Sequence, residues 1–193
     1  MEQNLDMLRQ EIVDKSLQAF REGLFSGTSG NMSCRVAPDE MLITPTSVRY
    51  DVLRARDIVR MKLDGTVLEG EMQPSSEWRM HAAVYEAYGE TNAVFHTHSP
   101  YATAFAVVRE SIPAVLIESC VFLGGDIRCA DYAAPGTKEV GVNAVPALKD
   151  RGGCTLANHG VLAVGKDLAQ AYLRAEYIED VAKVYTFSKV LGT

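Results

Sequence analysis

Four histidines occur in this 193-residue chain, and two of them, His96 and His98, stand one residue apart in AVFHTHSP, at the end of an apolar run. Side chains along a strand alternate between faces, so both imidazoles project from one side, where they can share a metal ion. His159, in LANHGV, offers a third nitrogen from another strand end. Three such ligands with one position left open are the usual set of a catalytic zinc. The plainer alternative is a group of strand-end histidines bonded to backbone, and the HxH spacing by itself leaves both readings open. His81, within SSEWRMHAAVY, reads as structural or exposed.

Three short segments of Gly, Ser, Thr and Asn lie at element boundaries: GTSGN (27–31), TPTS (44–47) and PSS (74–76). Small residues let backbone N–H groups approach an anion, and a helix opening at Ser75–Ser76 points its positive end at one. Each segment alone is equally a turn or an N-cap. Glu77 follows the serines directly. A carboxylate near a metal can act as a general base; a first-turn glutamate otherwise faces solvent and the helix dipole.

The elements that would position these groups follow from the hydrophobic pattern. Leu5, Leu8, Ile12, Ala19 and Phe20 recur at helical spacing, ending near Gly23. NMSCRV and EMLIT read as strands joined at APD, and DIVRMKL and TVLEG as a hairpin around Asp64–Gly65. PSSEWRMHAAVYEAY predicts a helix capped by Ser75 or Ser76; NAVFHTH predicts a strand, and PYATAFAVVR a helix with Pro100 in its first turn. PAVLI and DIRCA read as strands, TKEVGVNAVPALKD as a helix disturbed by Pro146, and CTLANHGVLAVG as strand, turn and strand; a long helix closes the chain from Asp167 to Leu191. Hairpins first, then alternating strands and helices, predict one α/β domain over residues 1–193, with a mixed sheet covered on both faces.

Composition narrows the partners. The apolar share of 47%, charged share of 23% and net charge of −6 are those of a globular protein without a basic nucleic-acid or membrane-binding patch. No apolar run approaches the length of a membrane span, and MEQNLDMLRQ is amphipathic rather than signal-like. The four cysteines are scattered, as expected of reduced thiols in the cytoplasm.

Taken in order, GTSGN, ITPTS, PSSEW, HTHS and NHG, with SIPA and YAAPGTKE, resemble the signature of the class II aldolase/adducin family, nearest to its fuculose-phosphate aldolases. The resemblance runs over essentially the whole chain. It implies a three-layer α/β/α sandwich around a mostly antiparallel sheet, assembled as a homotetramer with active sites between subunits. It implies a Zn²⁺ site (Mn²⁺ or Co²⁺ as alternatives) at His96, His98 and His159, with Glu77 as catalytic acid/base and as a fourth ligand when substrate is absent. It also implies a substrate-phosphate site at Asn31, Thr46, Ser47, Ser75 and Ser76, with Thr28 and Gly30 in the same loop. The implied reaction belongs to carbohydrate metabolism: cleavage of L-fuculose 1-phosphate, or a related deoxy-sugar phosphate, to dihydroxyacetone phosphate and an aldehyde.

The chain departs from those aldolases in one region. They carry a tyrosine after SIPA, where this chain has Ile117 with Glu118 beside it, and a second tyrosine in a C-terminal tail beyond the point where this sequence ends at Thr193. The aldehyde end of the site is therefore expected to be built differently, with Glu118 as a candidate for the proton there. Pentulose-phosphate 4-epimerases resemble a pattern with Asp in place of Glu77, and a His-Ala-Asp-Tyr-like run in place of IESCVF. Dehydratases of methylthio-sugar phosphates share the scaffold. Retention of all three histidines and Glu77 argues against a non-catalytic adducin-like module.

Overall fold

The computed structural model describes residues 2–192. Strand β1 (Asn31–Ala37) turns Asn31 and Ser33 to one face of the sheet and the apolar Met32 and Cys34 to the other. The same alternation in β5 (Ala93–Thr97) sends Val94 and His96 one way and Ala93 and Phe95 the other. With β2 (Glu40–Ile43), β3 (Val59–Lys62), β4 (Val67–Glu69), β6 (Cys129–Ala130), β7 (Gly153–Leu156) and β8 (Gly160–Gly165) they form an eight-stranded sheet in the order β4-β3-β2-β1-β5-β8-β7-β6. Only the β6–β7 pairing is parallel. The mixed, mostly antiparallel sheet expected from sequence is the one observed.

Helices cover both faces. On the Val94–His96 face, α2 (Trp78–Ala87) and α5 (Lys138–Leu148) enclose a core of Met41, Ile43, Met80, Tyr85, Val94 and Leu162. The other face carries α1 (Glu2–Arg21), α3 (Pro100–Val108), α4 (Ile117–Leu123) and α6 (Leu168–Leu191), packed on Phe25, Met32, Phe95 and Tyr172. The Asp167 side chain caps α6 by accepting the Gln170 N–H at 2.7 Å.

Three local expectations change. The segment PAVLI is not a strand: Ile112 and Ile127 make one isolated bridge, and the chain then coils into α4. Packing prevails over β propensity here, because Phe122 of α4 stacks on Tyr177 of α6 with ring centroids 4.7 Å apart. DIRCA keeps only Cys129 and Ala130 as strand. The third change is the start of α2, which begins at Trp78 with Glu77, not a serine, at its N-cap. Pairing of Pro45 with Pro74, and a bond from the Ser75 N–H to the Thr44 carbonyl, hold residues 74–75 extended, so the helix starts later.

Candidate metal centre

The histidines meet because of strand register. In the β5–β8 pair, His96 lies opposite Leu162 and Thr97 opposite Val161, so one further step sets Gly160 beside His98, just past the strand end. A Cβ at position 160 would stand 2.4 Å from the Thr97 carbonyl oxygen and 3.1 Å from both His96 Cε1 and His98 Cδ2. Glycine is thus what lets the two rings close on the β7–β8 turn. His159 comes immediately before it, in a turn where Asn158 adopts φ 55°. The Arg109 guanidinium donates to Asn158 Oδ1 at 3.0 and 2.9 Å, and the Asn158 N–H donates to the Ala106 carbonyl at 2.9 Å. The three imidazoles end with ring centroids 4.7–5.3 Å apart.

Glu77 completes the group from the start of α2. Its Oε2 lies 3.1 Å from His96 Nε2, its Oε1 3.1 Å from His159 Nε2, and His96 Nε2 lies 3.0 Å from His98 Nε2. One donor atom from each of the four residues falls within 4.8 Å of the others. The Val161 carbonyl can only accept, so His96 Nδ1, 2.8 Å away, carries the proton and the Nε2 lone pair faces inward. With that ring neutral, the lone pair, a second imidazole nitrogen and a carboxylate point at one another, an arrangement that a shared cation or a proton relieves. Glu77 Oε1 is buried and makes no hydrogen bond, although His159 Nε2 lies 3.1 Å away. Nitrogen ligands about 2.0–2.1 Å from a tetrahedral ion stand about 3.3 Å apart, close to the three contacts of 3.0–3.1 Å within a group that spans 4.8 Å. The four residues fit a small divalent cation.

Electrostatics agree with that role. Burial alone would raise the Glu77 carboxyl, but positive charge on the side of His96 and His159, whether a proton on the rings or a cation between them, outweighs it and holds the group well below the usual carboxylate range. Burial, reinforced by His96 and His159, lowers His98 to about 4. His98 is therefore neutral at pH 7, the form that binds a metal.

The three small-residue segments converge beside Glu77. The Pro45–Pro74 bridge joins residues 44–47 to residues 73–76, with the Thr46 N–H donating to the Gln73 carbonyl at 3.0 Å. The Tyr50 hydroxyl donates to the Gly30 and Ser29 carbonyls at 2.6 and 3.2 Å, tying in the first segment. Gly30 (φ 85°) also allows a close approach, since a Cβ there would enter the Phe25 ring and come within 3.0 Å of the His96 carbonyl. Thr46 is partly exposed, and Ser47 (φ 60°) and Ser76 are exposed. Ser75 is buried, its hydroxyl accepting the Glu77 N–H at 3.3 Å.

Other residues fall outside this arrangement. Glu118 sits in the first turn of α4, on a helix rather than the expected strand-to-loop segment, and is not in the four-residue group. Thr28 is exposed at its turn. A cavity of about 620 Å³ opens at the opposite end of the sheet, among Leu148, Arg151, Gly165 and Arg174, but it holds none of the grouped histidines; its lining sets Lys149, Arg151, Lys166 and Arg174 against Glu90 and Asp150. The donors able to hold a metal ion lie at the other end, at Glu77 and the three histidines. His81, expected to be structural or exposed, is fully buried and bonded to Asn31. Gly160 and Arg109 had no sequence signal beyond a turn and a helix end.

Comparisons with known proteins give the family and the fold. Residues 10–186 match the family model described as Class II Aldolase and Adducin N-terminal domain. The chain is similar to the L-fuculose phosphate aldolase of Escherichia coli strain K12, with 40% identity over 185 residues, 96% of this chain and 84% of that one. It is similar to the 5-deoxy-D-ribulose 1-phosphate aldolase of Bacillus thuringiensis serovar kurstaki, with 38% identity over 185 residues, 95% and 86% of the two chains. A solved L-fuculose 1-phosphate aldolase superposes with a TM-score of 0.91 at 38% identity, covering 96% of this chain and 88% of that one.

Proposed function

We infer the function from one premise: the chain belongs to the class II aldolase and adducin family. On that footing the protein is a metal-dependent sugar-phosphate aldolase. It splits a ketose 1-phosphate of the deoxy-sugar class, L-fuculose 1-phosphate or a near relation, between C3 and C4 into dihydroxyacetone phosphate and an aldehyde. The observation that carries this reading is the convergence of Glu77, His96, His98 and His159 on one point, with a buried carboxylate oxygen lacking a hydrogen-bond partner. Held by these residues, Zn²⁺ (or Mn²⁺ or Co²⁺) supplies a Lewis acid for the negative charge that develops on the substrate carbonyl oxygen.

The chain's own groups do the rest. Asn31, Thr46, Ser47, Ser75 and Ser76, with Thr28 and Gly30 in the adjoining loop, receive the substrate phosphate through hydroxyl, amide and backbone donors. Glu77 returns a proton to C3 once the C3–C4 bond has opened, and removes it in the reverse direction. Glu118 is assigned the proton of the aldehyde oxygen. That assignment needs a second copy of the chain at the site, in line with a homotetramer. Support comes from the exposed apolar residues around Glu118, with Ile117 73% and Val121 66% exposed. No helix among the described residues is long and apolar enough to cross a membrane. The scattered free cysteines, Cys34, Cys120, Cys129 and Cys154, support a reducing, cytoplasmic setting.

The test is a panel of ketose 1-phosphates, including L-fuculose 1-phosphate and 5-deoxyribulose 1-phosphate, assayed for released dihydroxyacetone phosphate. We expect turnover on at least one deoxy sugar; a panel without release at full metal loading contradicts the reading. Replacing Ser75 and Ser76 together with Ala is expected to raise KM for the phosphorylated ketose, with metal content unchanged. Equal wild-type activity on the unphosphorylated sugar would show that these serines serve another purpose.

A further inference from the structure

Behind Asn31 and Glu77 runs a buried chain of polar side chains, Tyr85, Ser33 and His81, to which the reaction as described gives no part. His81 and Tyr85 are four residues apart on α2, and Asn31 and Ser33 are two apart on one face of β1. Four helical residues rise about 6 Å and two strand residues about 6.7 Å, so the two rows face each other nearly in step. Ser33 Oγ lies 2.8 Å from the Tyr85 hydroxyl and 2.7 Å from His81 Nδ1. His81 Nε2 lies 2.5 Å from Asn31 Oδ1, and Asn31 Nδ2 donates to Glu77 Oε2 at 3.0 Å. All five residues are buried.

Chemistry fixes the direction of every link. The Glu77 carboxylate only accepts, so Asn31 must turn its NH₂ toward it; a flipped amide would set oxygen against carboxylate. The Asn31 carbonyl oxygen then faces His81 and also only accepts, so His81 Nε2 carries a hydrogen. Full burial lowers His81 to about 3, with His96 adding to the effect, so the ring is neutral and its Nδ1 must accept. Ser33 therefore donates to Nδ1 and accepts from Tyr85. With His81 neutral, the order is Tyr85→Ser33→His81→Asn31→Glu77.

We propose that His81 is a positioning residue, which as the neutral Nε2–H tautomer fixes the Asn31 amide and, through it, the Glu77 carboxylate in the orientation that proton transfer needs. Asn31 is held from behind by His81, keeps its second amide hydrogen for substrate, and couples the phosphate end of the site to the base. The proposal rests on the function inferred above for its consequence in turnover, but not for the hydrogen-bond order itself.

The order is read by ¹⁵N NMR of His81 in the full-length, metal-loaded protein. The Nε2–H tautomer at neutral pH is expected, and the Nδ1–H tautomer or an imidazolium overturns the proposal without any turnover being measured. The consequence is read with two variants, His81→Phe, which keeps ring volume without a donor, and His81→Gln, which restores an N–H near Nε2. With metal content equal to wild type, His81→Phe is expected to lower kcat for proton exchange into dihydroxyacetone phosphate about 10- to 100-fold, the usual cost of losing a residue that orients a site group. His81→Gln is expected to recover most of it, with KM little changed in both. Equal loss in both variants, or none in either, overturns the positioning role. If His81→Phe does not fold, Asn31→Asp takes its place: an oxygen facing the Glu77 carboxylate should produce the same kcat loss, and full kcat would overturn the proposal. A wild-type enzyme with no exchange at all would instead remove the aldolase reading, leaving the tautomer to decide the hydrogen-bond chain.

Discussion

Replacing His98 or His159 with Ala is expected to remove the bound metal and bring turnover to background, with the fold intact. The two residues sit at the open end of the sheet, one just past β5 and one in the β7–β8 turn, and neither is needed for a strand pairing. Loss of one imidazole leaves the cation too few ligands at a site built from three histidines and one carboxylate. His96→Ala should abolish activity equally, but at a further cost in stability. His96 is fully buried and its Nδ1–H satisfies the Val161 carbonyl, so removing it opens a cavity and strands an acceptor worth about 1–3 kcal/mol. Metal analysis with thermal unfolding of the three variants checks this. Stoichiometric metal and normal turnover in any one of them would refute the ligand assignment.

The second large effect belongs to Glu77. Its carboxylate faces His96 and His159, which hold it ionised, and ionisation is what a base requires. Glu77→Gln is expected to keep the histidine ligands and the metal while lowering exchange of dihydroxyacetone phosphate protons with solvent about 10²- to 10⁴-fold, the range for a positioned general base. Glu118→Gln should slow cleavage yet leave that exchange unchanged, because its assigned proton is on the aldehyde oxygen. Equal loss of both reactions in both variants would refute the division of labour. The two measurements need the same enzyme preparations and differ only in substrate.

Much of this arrangement is legible in the residues themselves. The period-2 spacing of His96 and His98 predicts a shared face, and the Nε2 atoms 3.0 Å apart bear that out. NMSCRV and EMLIT become β1 and β2, and the closing helix from Asp167 is α6. What the sequence could not carry was set by tertiary contact. PAVLI has the β-branched composition of a strand but no neighbour to pair with beyond Ile112–Ile127, and α6 offers Tyr177 to a helix instead. Ser75 looks like a helix cap, yet its pairing with Thr44 and that of Pro74 with Pro45 keep it extended, so the helix starts after Glu77, whose carboxylate turns inward. Gly160 reads as part of a turn, and its need for a bare Cα arises only when β8 comes alongside His98. His81 had no visible partner in sequence because Asn31 and Ser33 lie 50 and 48 residues away.

The central claim is that turnover depends on a metal ion held by Glu77, His96, His98 and His159, and chelation tests it most directly. Dihydroxyacetone phosphate release from L-fuculose 1-phosphate or 5-deoxyribulose 1-phosphate would be followed before chelation, after exhaustive removal of divalent ions, and during titration with Zn²⁺. The account predicts that release stops on metal removal and returns in proportion to Zn²⁺ until one ion per chain is bound. Full turnover by the metal-free protein would contradict it.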